Sequence, residues 1–241
     1  MTFKYREAKI TFRCKTRIVF LKKEIAFVKV NKEDIVKHIK PVLVLFVPVI
    51  AISLYKIMDK IMLGYLINVV EVGYYEQAEK IINIPLGLIT ALGTVMLPRI
   101  SSLISKGNDK IIKEYIKNSL KFMMFISFPI AFGLIAISSG FIPMFLGIAF
   151  TKSALILNYL SVTIIFLSIA NVIRTQYLIP KEKDGIYIKS VILGAIINFI
   201  INLLLIPRYY SIGACIGTIF AEFSVMFCLK KKMILVYLSP L

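Results

Sequence analysis

Of the 241 residues, 59% are hydrophobic and only 18% charged, with 30 Lys and Arg against 13 Asp and Glu for a net charge of +17. Soluble domains run at about 45–50% apolar and about 25% charged residues, so a mean hydropathy of +0.84 excludes disorder, collagen-like repeats and a small disulfide scaffold. The cations sit between long apolar runs, which points to membrane topology and away from nucleic acid as a partner.

Residues 1–40 form a basic N-terminal segment, with 12 Lys and Arg against 4 acids and no h-region or cleavage site of a secretory signal. Within it Ile35, Val36 and Ile39 share one helical face just before Pro41. An amphipathic lead-in lying in the membrane plane and an ordinary polar loop both fit that pattern. From 41 to 230 the chain reads as a transmembrane lobe of six apolar runs, 42–66, 77–103, 119–139, 154–179, 187–206 and 212–229. Each is long enough for a hydrocarbon core about 30 Å thick, which takes about 20 helical residues. Lipid offers backbone amides no partner, and the runs are too long and continuous for barrel strands, so the expected fold is an all-α integral membrane protein with six transmembrane helices. Pro48, Pro85 and Pro129 fall inside spans and are read as kinks. The tail over 231–241 is apolar but too short to cross, and reads as a cytoplasmic end or the start of an interrupted helix.

Loop charge sets the orientation. Five lysines lie between Lys106 and Lys121, three between Lys181 and Lys189, and Lys230, Lys231 and Lys232 close the last span. The opposite side has Lys152 and Arg208, with Glu71 and Glu76 read as part of its first loop. The positive-inside rule then puts both termini in the cytoplasm of a multi-pass cell-membrane protein.

Catalytic signatures are missing. The sequence has no Walker-type phosphate loop, no Ser elbow and no His-Glu-x-x-His, and Gly213 to Gly217 lacks the third glycine of a dinucleotide turn. His38 is the one histidine and borders the membrane; Cys14, Cys215 and Cys228 have no metal-ligand spacing. The expectation is therefore a non-enzyme without metal or cofactor, with coupling to Na⁺ or H⁺ left open.

Polar groups inside a bilayer mark a cavity, a pathway or a partner by default. Lys56, Asp59 and Lys60 fall at i, i+3 and i+4 on one face of the first span. A helix stopping before Lys56 would leave 42–55 too short to cross, so these charges are expected at bilayer depth. Asp59 sits one turn from Lys56 and is turned about 100° from Lys60. One carboxylate cannot neutralise both lysines, which predicts leftover positive charge. Glu79 and Asn83, four apart at the outer start of the second span, suit either an interfacial cap or a cavity wall. Arg174, near Asn171 and Gln176, suits snorkelling or a functional site. Asn198 and Asn202 are read as interhelical hydrogen-bonding groups, and Glu222 must face protein or be protonated. Gly213, Gly217 and Ala221 form a small-residue stripe for close helix packing.

Five stretches carry a family resemblance: Lys56-Ile-Met-Asp-Lys-Ile-Met-Leu-Gly64, Val72-Gly-Tyr-Tyr-Glu-Gln-Ala-Glu-Lys80, Leu92-Gly-Thr-Val-Met-Leu-Pro-Arg99, Asn171-Val-Ile-Arg-Thr-Gln-Tyr-Leu-Ile-Pro180 and Gly213-Ala-Cys-Ile-Gly-Thr218. In this order and spacing, over about residues 24–229, the chain resembles the bacterial polysaccharide (O-antigen and capsule, Wzx-type) flippases of the MATE/MOP superfamily. The resemblance implies a transporter of undecaprenyl-diphosphate-linked oligosaccharide repeat units. It also implies that this chain corresponds to the second of two six-helix lobes around a central cavity, a truncated or split reading frame. The partners expected are then the bilayer, the lipid-linked sugar, and a first lobe or polysaccharide assembly proteins. Lys56, Asp59, Lys60, Glu79, Asn83, Arg174 and Glu222 are the candidate substrate-binding residues, with Asp59 orienting Lys60 or binding a coupling cation. A cation-coupled small-molecule exporter of the same superfamily, a non-transporting scaffold of a polysaccharide assembly complex and a membrane glycosyltransferase fragment are the competing readings.

Overall fold

The computed structural model describes Ser53, Tyr55 and residues 57–238, with side chains as far as Met233. The N-terminal segment, most of the span 42–66 and Lys56 lie outside the described residues. Every regular element described is helical. α1 is described over 57–66 and turns at Ile67 and Asn68 into α2, Val69–Ser105. α3 is Asp109–Leu146, and a 3₁₀ turn at Ile148–Phe150 leads to α4, Thr151–Ser161, and α5, Thr163–Ile173. A π-helical turn, Arg174–Leu178, and a 3₁₀ turn, Ile179–Lys181, precede α6, Asp184–Tyr209, and α7, Ser211–Leu238. Among the described residues five segments are long and apolar enough to cross a membrane: α2, α3, Thr163–Lys181, α6 and Ser211–Met233 of α7. The protein is an all-α integral membrane protein.

Three boundaries depart from the sequence reading, each for a local reason. α2 starts eight residues earlier than 77, because the Asn68 side chain caps it by accepting from the Glu71 amide at 2.9 Å. Glu71 and Glu76 therefore lie on a helix and not in a loop. α3 likewise begins at Asp109, so most of the basic stretch read as a loop is helical. The expected single span 154–179 is divided at Val162. There Ser161 and Thr163 donate to the carbonyls of Leu157 and Leu160, both at 2.6 Å, competing with the backbone ladder inside a β-branched run. At the other end α7 continues unbroken through the tail to Leu238.

The described residues form two apolar core clusters. One joins Leu63, Ile82, Met123, Ile142, Leu157 and Ala214; the other joins Ile100, Ile112, Ile173, Leu178, Val191 and Leu229. α6 and α7 form a hairpin held close by glycine. A Cβ on Gly213 would lie 2.5 Å from the Leu205 carbonyl, and one on Gly217 would overlap the Asn202 side chain. Ala221 is fully buried, with its carbonyl 3.4 Å from a Cβ built on Gly194. The small-residue stripe is thus the packing seam it was read to be.

The starts of α2, α4 and α7 meet through one carboxylate. Glu71 is 2.5 Å from the Lys152 ammonium, and the Ser211 hydroxyl donates to its other oxygen at 2.5 Å. Hydrogen bonds to a charged group are worth about 1.5–3 kcal/mol. Lys152 is partly exposed, which reduces its share. Glu71→Gln should therefore cost about 1–2 kcal/mol, a lowering of the melting temperature in detergent by about 2–8 °C; an unchanged melt would mean the three helix starts hold without it.

Candidate functional site

The site is built around Asp59, a buried carboxylate on α1. Asn198 and Asn202 are one turn apart on α6 and donate their amide groups to Asp59 Oδ1 at 2.9 and 2.6 Å. Tyr75 on α2 and Thr218 on α7 donate their hydroxyls to Oδ2 at 2.9 and 2.8 Å. The donors also contact one another: Asn202 Nδ2 reaches Asn198 Oδ1 at 3.1 Å, and the Tyr75 and Thr218 oxygens are 3.0 Å apart. A buried carboxylate needs such compensation, because an unpaired charge out of water is strongly disfavoured. Gly217 is what lets Asn202 approach, since any side chain there would occupy the amide's position.

Asp59 forms part of the wall of a cavity of about 530 Å³ that borders both apolar clusters. Glu79, Asn83, Arg174 and Glu222 line the same cavity. Glu222 accepts from the Tyr55 hydroxyl at 2.8 Å. The Arg174 guanidinium lies over the Tyr187 ring, 4.2 Å from its centroid, and makes no ion pair among the described residues. Its Nε and the nearby Asn171 Oδ1 are buried without hydrogen-bond partners. Arg174 opens the π-helical turn, a widening of the helix that often accompanies functional positions.

Of the seven candidates, five line one cavity and Lys56 lies outside the described residues. Lys60 corrects the sequence reading. Its ammonium is 2.8 Å from Glu79 Oε2, across the α1–α2 hairpin, and Asp59 is occupied by its four hydrogen-bond donors. Asp59 therefore does not orient Lys60, and Lys60 is not the leftover positive charge predicted. A local i, i+1 neighbour lost to a partner on the next helix. Among described residues the charged lining is Asp59, Glu79 and Glu222 against Arg174.

Sequence reasoning also missed Tyr55, Tyr75, Tyr187 and Thr218. Tyr75 carried one usable signal: it stands four residues before Glu79, hence on the same helical face. Asn198 and Asn202 do hydrogen-bond between helices, and their shared acceptor is Asp59.

The family described as polysaccharide biosynthesis protein matches residues 12–155, more than half of the chain. The chain belongs to that family. It is similar to a Haloferax volcanii protein named "Probable low-salt glycan biosynthesis flippase Agl15", 26% identical over 68% of this chain and 34% of the relative. It is similar to a Shigella dysenteriae protein named "Putative O-antigen transporter", 25% identical over 82% of this chain and 49% of that one. Similarity extends to the lipid II flippase MurJ of Bacillus subtilis, 26% identical over 58% of this chain and 26% of MurJ. The matched region therefore spans about a quarter to a half of these relatives. The Wzx-type resemblance carried by the five motifs agrees with all of these matches.

Proposed function

We propose that this chain is one lobe of a lipid-linked oligosaccharide flippase, a transporter and not an enzyme, in the cell membrane with both termini cytoplasmic. The observation that carries the reading is the cavity: a polysaccharide-biosynthesis family member gathers Asp59, Glu79, Asn83, Arg174 and Glu222 around one space between its membrane-crossing helices. The substrate is an undecaprenyl-diphosphate-linked repeat unit. Arg174 presents a fork suited to a phosphate oxygen pair, while Asn83, Asn171 and the tyrosines offer sugar hydroxyls both donors and acceptors. A first lobe, or polysaccharide assembly proteins, supplies the second wall. Alternating access needs two bodies about a shared site.

Coupling falls to Asp59. A small hard cation such as Na⁺ takes oxygen ligands, as Ca²⁺ and Mg²⁺ do. Asn198, Asn202 and Thr218 are oxygen-bearing groups that each lie within hydrogen-bonding distance of the Asp59 carboxylate. Asn202 Oδ1 lies against Gly217 and has no hydrogen-bond partner among the described residues, so the Asn202 amide would turn to offer that oxygen to a cation. These four residues would hold the cation, whose charge would replace the hydrogen bonds now compensating the carboxylate; a proton on Asp59 is the alternative.

The three carboxylates and the tyrosines of the lining favour a second reading, an exporter of organic cations. Binding to the purified chain in nanodiscs separates the two. Labelled polyprenyl-diphosphate sugar should bind, and Arg174→Gln should weaken it roughly tenfold or more, the loss of one charge-assisted hydrogen bond. Binding of a drug-like cation in place of the lipid, unaffected by Arg174→Gln, would overturn the flippase reading.

A further inference from the structure

The lysines of the 106–121 stretch do more than mark a side of the membrane. Because α3 starts at Asp109, Lys110, Lys113, Lys117 and Lys121 are all helical, at intervals of three and four residues. At 3.6 residues per turn they fall within a strip about 80° wide. All four are exposed, while Ile112, Ile116, Ser119 and Met123 occupy the opposite, buried face. Lys110, Lys117 and Lys121 make no ion pair among the described residues, and Glu114 at the edge of the strip is the one acid between Lys110 and Lys121.

Past Lys121 the same strip changes chemistry within one turn. Met124 and Phe128 continue it, Phe125 and Phe132 flank it on the Lys121 side, and all four are exposed, Phe125 at 77%, with the Phe128 and Phe132 rings stacked 6.2 Å apart. The length of α3 explains the change. Thirty-eight residues at about 1.5 Å each give a helix about 57 Å long, nearly twice the roughly 30 Å hydrocarbon core. The 25 residues from Phe122 to Leu146 suffice to cross it. The lysine-to-phenylalanine step therefore marks the boundary between headgroups and acyl chains.

We propose that this lysine ladder is a binding site for acidic phospholipid headgroups. The argument for lipid over an acidic protein is continuity of the face. A lipid whose chains lie against Phe125, Phe128 and Phe132 has its phosphate at the depth of Lys121 and Lys117, with Lys113 and Lys110 extending the field outward. Lysine meets a phosphate as a point charge on a flexible stem. Each basic residue near an anionic surface strengthens binding roughly fivefold. The inference requires α3 to cross a membrane and is independent of the substrate proposed above.

The test uses the full chain in nanodiscs of phosphatidylcholine doped with phosphatidylglycerol, counting retained phosphatidylglycerol by native mass spectrometry. The combined Lys110→Gln, Lys113→Gln, Lys117→Gln and Lys121→Gln variant should retain at least fivefold less than the parent. The four matching Arg substitutions should keep parental retention, and Gln at Lys230, Lys231 and Lys232 should lower it less than the ladder variant does. Retention by the parent should fall as salt rises, a readout that needs no variant. Parental retention in the ladder variant, equal loss from the 230–232 variant, salt-independent retention, or loss of polyglutamate binding with lipid unaffected would each overturn the proposal.

Discussion

Asp59→Ala should be among the most damaging single substitutions in the chain, while Asp59→Asn should separate stability from the proposed ion binding. Removing the carboxylate leaves two amide and two hydroxyl donors, on three helices, facing a void. A buried polar group stripped of its partner costs about 1–3 kcal/mol, whereas interhelical hydrogen bonds measured in membranes average about 0.6 kcal/mol. The donors can pair in part with one another, so each lost bond falls at about 0.6–1 kcal/mol and four give a loss of about 2–4 kcal/mol, or about 4–16 °C in a detergent melt. Asparagine keeps the volume and one strong acceptor, and Tyr75 and Thr218 can turn to accept from its amide, so its melt should stay within a few degrees of the parent. The charge is gone, however. Na⁺ should raise the melting temperature of the parent through ligand linkage and leave Asp59→Asn unmoved. A Na⁺ shift that persists in Asp59→Asn would place the coupling ion elsewhere.

Gly213→Val should be comparably severe for a different reason. The new Cβ would stand 2.5 Å from the Leu205 carbonyl carbon and oxygen, which are backbone and have no rotamer to yield. The α6–α7 hairpin would have to splay, moving Asn198 and Asn202 away from Thr218 and dismantling the compensation of Asp59. Overpacking costs typically about 1–3 kcal/mol, occasionally more, and the coupled loss at Asp59 puts this variant at or above the upper figure. Gly133→Val and Gly140→Val on α3 are the controls, because nothing lies within 4 Å of a Cβ at either. A Gly213→Val melt that matches those controls would mean the hairpin is looser than its geometry.

The helices were legible because hydropathy is a summed property, tolerant of errors at individual residues. Cavity residues were legible where they were costly. Asp59 and Glu222 are costly in lipid at the depth the spans gave them, so their presence pointed inward, whereas Glu79 and Arg174, nearer the span ends, fitted an interfacial cap and snorkelling equally well. Tyr55, Tyr75 and Thr218 were illegible for the converse reason: a phenol or a threonine in a membrane helix is cheap and common, and nothing in composition separates one that serves a carboxylate from one that packs. Lys60 failed differently. Its true partner, Glu79, is decided by how α1 folds back on α2, and helix spacing contains no information about that turn. The break at Val162 and the early starts of α2 and α3 rest on side-chain to backbone competition and on capping, which hydropathy windows average away.

The sequence separations within the charge network impose a schedule on the newborn chain. Lys60 and Glu79 are 19 residues apart, so they can neutralise each other as soon as the first hairpin leaves the ribosome. Tyr75 reaches Asp59 in the same interval, 16 residues on. Asn198, Asn202 and Thr218 follow 139, 143 and 159 residues after Asp59. At about 5–20 residues per second, that is a wait on the order of ten seconds. Throughout it the nascent hairpin holds an acid with one of its four companions among the described residues in place. A membrane quality-control protease that senses stranded polar groups would find its widest opening there, before α6 is made.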